Sequence, residues 1–261
     1  MDRLIVIKIG GNIIDNEEKL GDFLQQFAAI DNHKILVHGG GKLATKLAEQ
    51  MNLPQQMVDG RRITDADTLK VVTMVYAGYI NKQVVSLLQA SGCNAIGLSG
   101  ADGNSVRAHK RENAGRDYGF AGDVDEVNAS LLYTLLHQGL VPVMAPITHD
   151  RQGQLLNTNA DTVAQEVAKA LAIHFRVDLI YSFEKEGVLL DVNDPSSLVG
   201  RIDPSSYRLL KEKGAIFAGM IPKLDNAFEA LQQGVDRVII GKAEDISQLI
   251  SGEKGTIIIK G

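Results

Sequence analysis

The sequence predicts an α/β protein, specifically a three-layer α/β/α sandwich around a mainly parallel central sheet. Short apolar runs alternate with amphipathic segments of helical length along nearly the whole chain, which is the pattern of successive βαβ units. The apolar runs, such as LVPVMAPI at 140–147, also lack a strict alternation of polar and apolar residues. That is expected of strands that helices cover on both faces.

The individual elements follow from these runs and from residues typical of helix starts. We expect strands at 3–9, 34–38, 94–98, 140–144, 177–182, 236–240 and 255–260. We expect helices near 17–30, 41–51, 65–91, 127–138, 159–173, 204–213, 222–233 and 243–251. Thr64 and Asn159 are suitable N-cap residues, and Pro222 suits a first helical position.

Three stretches interrupt the alternation of strands and helices. The polar, glycine-containing stretches 55–63 and 105–125 are too short for further βαβ units. We interpret them as hairpins that project from the sheet edge. Acidic residues and Pro195 mark 183–200 as a mobile loop.

The 261 residues are predicted to form one domain with two lobes on a continuous sheet. No stretch resembles a linker between independent domains. We place the seam near residue 175, which gives an N-terminal lobe over 1–175 and a C-terminal lobe over 176–261.

Composition argues against several classes of function. The formal net charge is -5 and aromatic residues make up 5%, which argues against binding to nucleic acid or to anionic membranes. No apolar stretch reaches the length of about eighteen residues that a membrane span requires. Cys93 is the only cysteine, so intrachain disulfides are impossible and a cytoplasmic location is expected. The histidines show no metal-ligand spacing, and we assign none of them to a metal.

Two glycine turns are predicted to bind an anion. Gly10 and Gly11 follow the first strand, and HGGGK at 38–42 follows the second. Glycines expose backbone N–H groups at a helix N-terminus, where the dipole favours negative charge. HGGGK is not a Walker A loop, because Leu43 stands where serine or threonine should follow the lysine. The alternative is a flexible connection without a ligand.

Two lysines occupy unfavourable positions near these turns. Lys8 lies within an apolar strand, where burial of an unpaired ammonium group is costly. Lys223 falls in the first turn of the helix that begins near Pro222, where the dipole disfavours a cation. Each lysine could instead reach solvent, but a phosphate group at the shared sheet edge would satisfy both.

Three polar residues complete the candidate site. Asp161 lies in the first turn of the helix after NTNAD at 157–161, and its carboxylate could hold both lysines in position. Helix capping alone also explains this stretch, including Asn157. Arg62 is a candidate to bind a substrate carboxylate through its planar guanidinium group, whereas Arg61 is expected to be solvated.

These stretches together resemble the amino acid kinase family. In chain order they are KIGG (8–11), HGGGK (38–42), RRIT (61–64), GLSGADG (97–103), NTNAD (157–161) and GMIPK (219–223). Their order is most similar to that of members that phosphorylate N-acetylglutamate in arginine biosynthesis. The resemblance implies transfer of the γ-phosphoryl group of ATP to the side-chain carboxylate of an N-acylated glutamate. It also implies Mg²⁺, held mainly by the nucleotide phosphates.

The resemblance further implies a role for each candidate residue. Lys8 and Lys223 would stabilise the transition state, and Asp161 would orient both lysines. The residues that would bind the acyl-amino-acid substrate are Gly40, Gly41, Arg62 and Asn157. The phosphate would meet the backbone of Gly10 and Gly11, and the nucleotide would contact Ser182, Glu184, Gly187, Gly219 and Met220.

The sequence departs from the family pattern at two places. Glu184 stands where family members usually carry an aspartate, which concerns the contacts to adenosine. DYGFAGDV at 117–124 replaces the usual hairpin near the acyl group. Basic residues cluster there and could receive a larger acidic acyl group such as succinyl, although a solvated basic hairpin also explains them. They are Arg107, Lys110, Arg111 and Arg116.

Assembly and alternative functions are also predicted from the resemblance. Arginine-inhibited relatives carry an extra helix ahead of the first strand, whereas here that strand begins within three residues. We therefore expect an arginine-insensitive homodimer, with the 65–91 helix at its interface. The alternatives are the same reaction on N-succinylglutamate, another kinase of this fold, or a non-catalytic nucleotide-binding sensor. The presence of both lysines argues against a sensor.

Overall fold

The computed structural model describes residues 1–58, 61–112, 115–191, 193–216 and 220–261, with the backbone alone described at residue 61. The strands are β1 (Arg3–Ile9), β2 (His33–His38), β3 (Met57–Val58), β4 (Arg61–Arg62), β5 (Ala95–Leu98), β6 (Val106–Lys110), β7 (Ala121–Val127), β8 (Val141–Met144), β9 (Ile147–His149), β10 (Leu155–Thr158), β11 (Arg176–Phe183), β12 (Arg201–Ile202), β13 (Arg237–Lys242) and β14 (Thr256–Ile258). The α-helices are α1 (Gly11–Ile14), α2 (Glu17–Ala28), α3 (Gly41–Gln50), α4 (Ala66–Thr73), α5 (Asn81–Ala90), α6 (Ala129–His137), α7 (Ala160–Leu171), α8 (Pro204–Glu212), α9 (Ile221–Gln232) and α10 (Ile246–Ser251).

The middle layer is an eight-stranded sheet in the order β12-β14-β13-β11-β1-β2-β8-β5. Its neighbouring strands are parallel, except that β13 and β14 are antiparallel. All the strands predicted from apolar runs belong to this sheet. The sequence analysis missed the edge strand β12, which has two residues.

Two apolar clusters cover the two faces of this sheet. Alternate residues of β1 enter different clusters: Leu4 and Val6 pack with α6, α7 and α9, whereas Ile5 and Ile7 pack with α2, α3 and α5. Because successive strand residues point to opposite faces, an apolar run without alternation supplies both cores. The prediction of an α/β/α sandwich is therefore confirmed.

The predicted hairpins are present but only one stands alone. The stretch 55–63 contains the antiparallel pair β3 and β4, with residues 59–60 outside the described residues. The stretch 105–125 contains the antiparallel pair β6 and β7, which closes with β9 and β10 into a small four-stranded ring. The second predicted hairpin is therefore present, and two unpredicted strands join it to form the ring.

The predicted 65–91 helix is continuous but changes its winding in the middle. Residues Met74–Ile80 form a π-helical segment between α4 and α5. Tyr76 and Ile80 of this segment are buried against the glycine turn after β2: a Cβ built on Gly40 would lie only 2.3 Å from Cδ1 of Ile80. The wider, π-helical part of the helix thus lies where the backbone of the glycine turn comes close to the helix.

The stretch 183–200 is mainly loop beyond the end of β11, as predicted, with a short 3₁₀ helix at Pro195–Ser197. Among the described residues, no helix has the length and apolarity needed to cross a bilayer. The division into a substrate lobe and a nucleotide lobe near residue 175 stays a prediction.

Candidate active site

The two glycine turns lie side by side at the carboxyl edge of the sheet. Parallel pairing places Ile9, the last residue of β1, opposite His38, the last residue of β2. The N–H of Gly39 then donates to the carbonyl of Ile9 at 3.2 Å. Gly10 and Gly40 are the N-cap residues of α1 and α3. Backbone donors of both turns therefore face the same region, as the sequence predicts.

An ion pair between Lys8 and Asp161 crosses this region. Nζ of Lys8 lies 2.8 Å from Oδ1 of Asp161, and the lysine side chain is 12% exposed. A Cβ built on Gly10 would lie 3.9 Å from the same Nζ, so the ammonium group lies over the first glycine turn. Asn159 caps the N-terminus of α7, because its Oδ1 accepts a hydrogen bond from the N–H of Asp161 at 2.8 Å. The Asp161 carboxylate is thus left to pair with a cation.

Lys223 joins the pair through a shared aromatic ring. Its Nζ lies 3.5 Å from the ring centroid of Phe183, and Nζ of Lys8 lies 5.9 Å from the same centroid. Burial lowers the pKa of Lys223, and Lys8 lowers it further, whereas Asp161 raises it. Two ammonium groups therefore face one carboxylate, and an added anion would balance the remaining positive charge.

Aromatic residues of β11 support this arrangement, and the sequence analysis missed them. Tyr181 lies opposite Lys8 in the pairing of β1 with β11, and its hydroxyl donates to the carbonyl of Asp161 at 3.4 Å. Phe183 lies two residues further along the strand. In the apolar run VDLIYSF both residues look like ordinary core positions, so no local signal separates them from the core.

A large cavity of about 950 Å³ opens beside the lysines. Its wall includes Gly10, Gly11, Lys223 and four of the predicted nucleotide-binding residues, which are Ser182, Glu184, Gly187 and Met220. Gly219, the fifth, lies outside the described residues. The buried hydroxyl of Ser182 has no hydrogen-bond partner among the described residues. Such a group is expected to bind a polar ligand or water.

A small cavity of about 170 Å³ adjoins the second glycine turn. All four predicted substrate-binding residues line it: Gly40, Gly41, Arg62 and Asn157. Gly41 lines the large cavity as well as the small one. Gly41 therefore belongs to the wall of both cavities, and Lys223 lines the larger one.

The side chain of Arg62 is buried and held by protein groups. Its Nη2 donates to the carbonyl of Gly41 at 3.0 Å and to Oγ1 of Thr45 at 2.8 Å, and its Nη1 contacts Oε1 of Gln55. Burial raises the pKa of the neighbouring Tyr76 hydroxyl. A fixed guanidinium group in a small cavity can bind a carboxylate with little further loss of side-chain entropy.

His38 is a second residue that the sequence analysis passed over. It is fully buried, with Nδ1 2.9 Å from the carbonyl of Gly39 and Nε2 3.1 Å from Nδ2 of Asn81. Asn81 also donates to the carbonyl of Val143 at 2.9 Å. Burial lowers the pKa of His38 to about 4, so the ring is neutral at pH 7. We assign the proton to Nδ1, because a carbonyl can only accept.

Three of the four basic residues near the predicted acyl group form ion pairs within the hairpin of β6 and β7. Its ion pairs are Arg107 with Glu126 at 3.1 Å, Lys110 with Asp117 at 3.3 Å, and Arg111 with Asp123 at 2.5 Å. None of these basic side chains lines the small cavity. Among the described residues, Arg116 is thus the one member of the cluster without an ion pair that could meet a larger acidic acyl group.

An α/β/α sandwich with two lysines and a carboxylate beside a large cavity has the features expected of a small-molecule phosphotransferase. The model of the amino acid kinase family matches residues 3–242, and the chain belongs to this family.

Relatives match the chain over nearly its full length. An acetylglutamate kinase of Parabacteroides distasonis is 58% identical over 95% of this chain and 97% of its own. An acetylglutamate kinase of Cytophaga hutchinsonii is 55% identical over 97% of both chains. Among solved structures, a carbamate kinase from Giardia is 15% identical but shares the fold, with a TM-score of 0.73 over 100% of this chain and 99% of that one.

Proposed function

We propose that the protein transfers the γ-phosphoryl group of ATP to the side-chain carboxylate of N-acetyl-L-glutamate, giving N-acetylglutamyl 5-phosphate in arginine biosynthesis. The observation that carries this proposal is that Lys223, which interacts with the Lys8–Asp161 ion pair, lines the large cavity, while Gly41 lines both the large and the small cavity. A donor in the large cavity and an acceptor in the small one would bring their reacting groups to the lysines. The names of the full-length relatives support this choice of reaction.

The chemistry needs little more than charge and position. In phosphoryl transfer, negative charge spreads over the equatorial oxygens of the transferred group, and cations and backbone N–H groups stabilise it. Lys8 and Lys223 supply the cations, Gly11 and Gly41 supply N–H groups, and Asp161 orients the lysines. The acceptor is a carboxylate that is already ionised at pH 7, so no general base is required.

The large cavity suits the nucleotide in size and polarity. Its volume of about 950 Å³ lies at the upper end of the range for ligand sites. The orphaned hydroxyl of Ser182 offers one polar contact to ATP, and Gly187 and Met220 provide apolar wall. Mg²⁺ would be held mainly by the nucleotide phosphates, where it neutralises the developing charge.

The small cavity suits a compact acyl-amino acid. Arg62 would bind the α-carboxylate of the substrate, and Asn157 would contact its acylated end. The pairing of three of the four basic residues of the hairpin favours acetyl over succinyl.

The exposed side of the helix that contains the π segment supports a homodimer. Met74, Tyr79 and Leu87 are 52%, 60% and 36% exposed there, and apolar side chains on one helix form a suitable interface core. A cytoplasmic location fits a biosynthetic kinase whose one cysteine, Cys93, is buried and free.

The test is an ATP-dependent hydroxamate assay on four acceptors in parallel: N-acetylglutamate, N-succinylglutamate, glutamate and aspartate. We expect acyl phosphate only with the first. A preference for the succinyl compound would correct the acyl group while retaining the chemistry. A signal with the free amino acids alone would overturn the proposed substrate, and the absence of any signal together with ATP binding would favour a sensor.

A further inference from the structure

The fold brings together three side chains that are far apart in the sequence, at the edge of the sheet opposite the glycine turns. They are Asp2 before β1, His33 at the start of β2 and His137 in the last turn of α6. One carboxylate oxygen and one nitrogen from each ring all lie within 4.8 Å of one another. The rings of His33 and His137 stack with centroids 5.2 Å apart.

The spacing of the histidines in the sequence indicated no metal site, but the fold brings two of them together, and we infer that Asp2, His33 and His137 form a binding site for a divalent transition-metal ion, with zinc as the best chemical match. Imidazole nitrogen and carboxylate oxygen are common zinc ligands, and water can fill a fourth, tetrahedral position. With metal–ligand bonds of about 2.1 Å, ligand atoms in such a site lie roughly 3.4 Å apart. Because Asp2 is exposed, its side chain can rotate to bring the carboxylate towards the two imidazole rings.

The hydrogen bonding of His137 prepares it for this role. Its Nδ1 lies 3.0 Å from the carbonyl of Tyr133, one helical turn earlier. Because a carbonyl only accepts, Nδ1 carries the proton and Nε2 keeps the lone pair that a metal needs. Histidine ligands usually donate their other ring N–H in this way, which fixes the tautomer and the ring orientation. The carboxyl end of α6 also favours a cation, through the helix dipole.

The surrounding charges permit a cation at this place. The two nearest basic side chains are directed elsewhere: Arg3 binds Asp178, and the ammonium group of Lys34 donates to the carbonyls of Ala28 and Ile30. An open cavity of about 480 Å³ lies alongside, and its wall includes Asp2, Asp31 and His33. Solvent can therefore carry the ion to its ligands, and Asp31 adds negative charge near them.

This site is separate from the phosphoryl-transfer machinery. From Asp2 to Lys8 the chain runs along β1, a distance of roughly 20 Å at the usual rise per residue. Magnesium prefers all-oxygen ligands, so the ion that accompanies ATP is a poor match for two imidazoles. A bound zinc ion would join β1, β2 and α6 at the amino edge of the sheet and would stabilise the folded chain.

The experiment is a zinc titration of untagged, chelator-stripped protein, followed by calorimetry and by thermal unfolding. We expect one zinc ion per chain and a rise in Tm on binding. His33→Gln and His137→Gln should each weaken binding by more than about tenfold, because even loss of a group that only supports a ligand typically costs 10- to 100-fold. His109→Gln is the matched control, since this exposed histidine pairs with Asp125 at 2.6 Å, away from Asp2, His33 and His137, and it should leave binding unchanged.

A second measurement does not depend on folding of the variants. Cobalt added to the unaltered protein should give the visible absorption of a nitrogen-ligated site, and excess magnesium should not displace it. Unchanged zinc affinity in both His33→Gln and His137→Gln would overturn the inference. So would displacement by magnesium, or the absence of saturable binding in the unaltered protein.

Discussion

The ammonium nitrogen of Lys8 lies 2.8 Å from Oδ1 of Asp161, in a pair whose lysine is largely buried. The same carboxylate also raises the pKa of Lys223, against the lowering caused by burial and by Lys8. One acid therefore serves two lysines. Its negative charge attracts both ammonium groups and favours the protonated form of Lys223.

Replacing Lys8 with methionine should mainly lower kcat. The loss of one group that stabilises developing negative charge typically costs about 3–4 kcal/mol, or a factor of 100 to 1,000 in rate. KM for the acceptor should change little, because the small cavity is intact. Steady-state ADP release measures both constants. Lys169→Met is the control, since Lys169 is similarly buried but pairs with Glu166 and Glu229 away from both cavities. Near-normal turnover of the Lys8→Met variant would show that Lys8 has no catalytic role.

Asp161→Asn should move the alkaline limb of the pH profile of kcat/KM to lower pH. The pKa of Lys223 is already below its usual value, and Asp161 opposes that lowering. Without the carboxylate the pKa falls further, so the active ammonium form is lost earlier as pH rises. Measurement of kcat/KM from neutral to alkaline pH tests this shift, with Asp236→Asn as the distant control. An unmoved alkaline limb would show that Asp161 does not act on Lys223.

Gly40→Ala should destabilise the fold and raise KM for the acceptor. Gly40 has φ +148, and the new methyl group would lie 2.3 Å from Cδ1 of Ile80. Backbone strain and overpacking together should cost about 2–4 kcal/mol. Urea unfolding and acceptor titrations measure the two effects. In contrast, Gly21→Ala places its methyl group in open space on α2 and should stabilise by up to about 1 kcal/mol. Adding Ile80→Val to Gly40→Ala should recover part of the loss.

The buried ring of His38 should make stability depend on pH. Its pKa is about 4 in the folded chain against about 6.5 when unfolded, so the contribution is full above pH 6.5 and is lost as pH falls towards 4. The total is roughly 3 kcal/mol. Urea unfolding at several pH values in this window should show a shallower pH dependence for His38→Gln than for the unaltered protein. Equal dependence would mean that the ring titrates freely in the folded state.

The fold was largely predictable because buried parallel strands appear in the sequence as apolar runs. The strands that escaped prediction are β9, β10 and β12, with three, four and two residues. Segments so short carry no periodic signal. Their pairing with distant strands is decided by tertiary contacts, such as the ring that β9 and β10 complete with β6 and β7.

The candidate site was predictable where a residue conflicts with its local surroundings. Lys8 within an apolar strand and Lys223 at a helix start are charges in unfavourable places, and glycines in sequence are conspicuous. His38, Tyr76 and Phe183 do not conflict with their surroundings, because each looks like part of a core. The contacts of His38 with Asn81, of Tyr76 with Gly40 and of Phe183 with the lysines exist only after distant elements have packed.

The π segment Met74–Ile80 has an inner side and an outer side with different partners. Inward, Ile80 touches the position of Gly40; outward, Met74 and Tyr79 are open to solvent. A neighbouring copy bound to the outer side would contact the same helical segment that helps to form the small cavity. Self-association of the protein and its affinity for the acceptor would then be coupled. Dilution of the protein would weaken both.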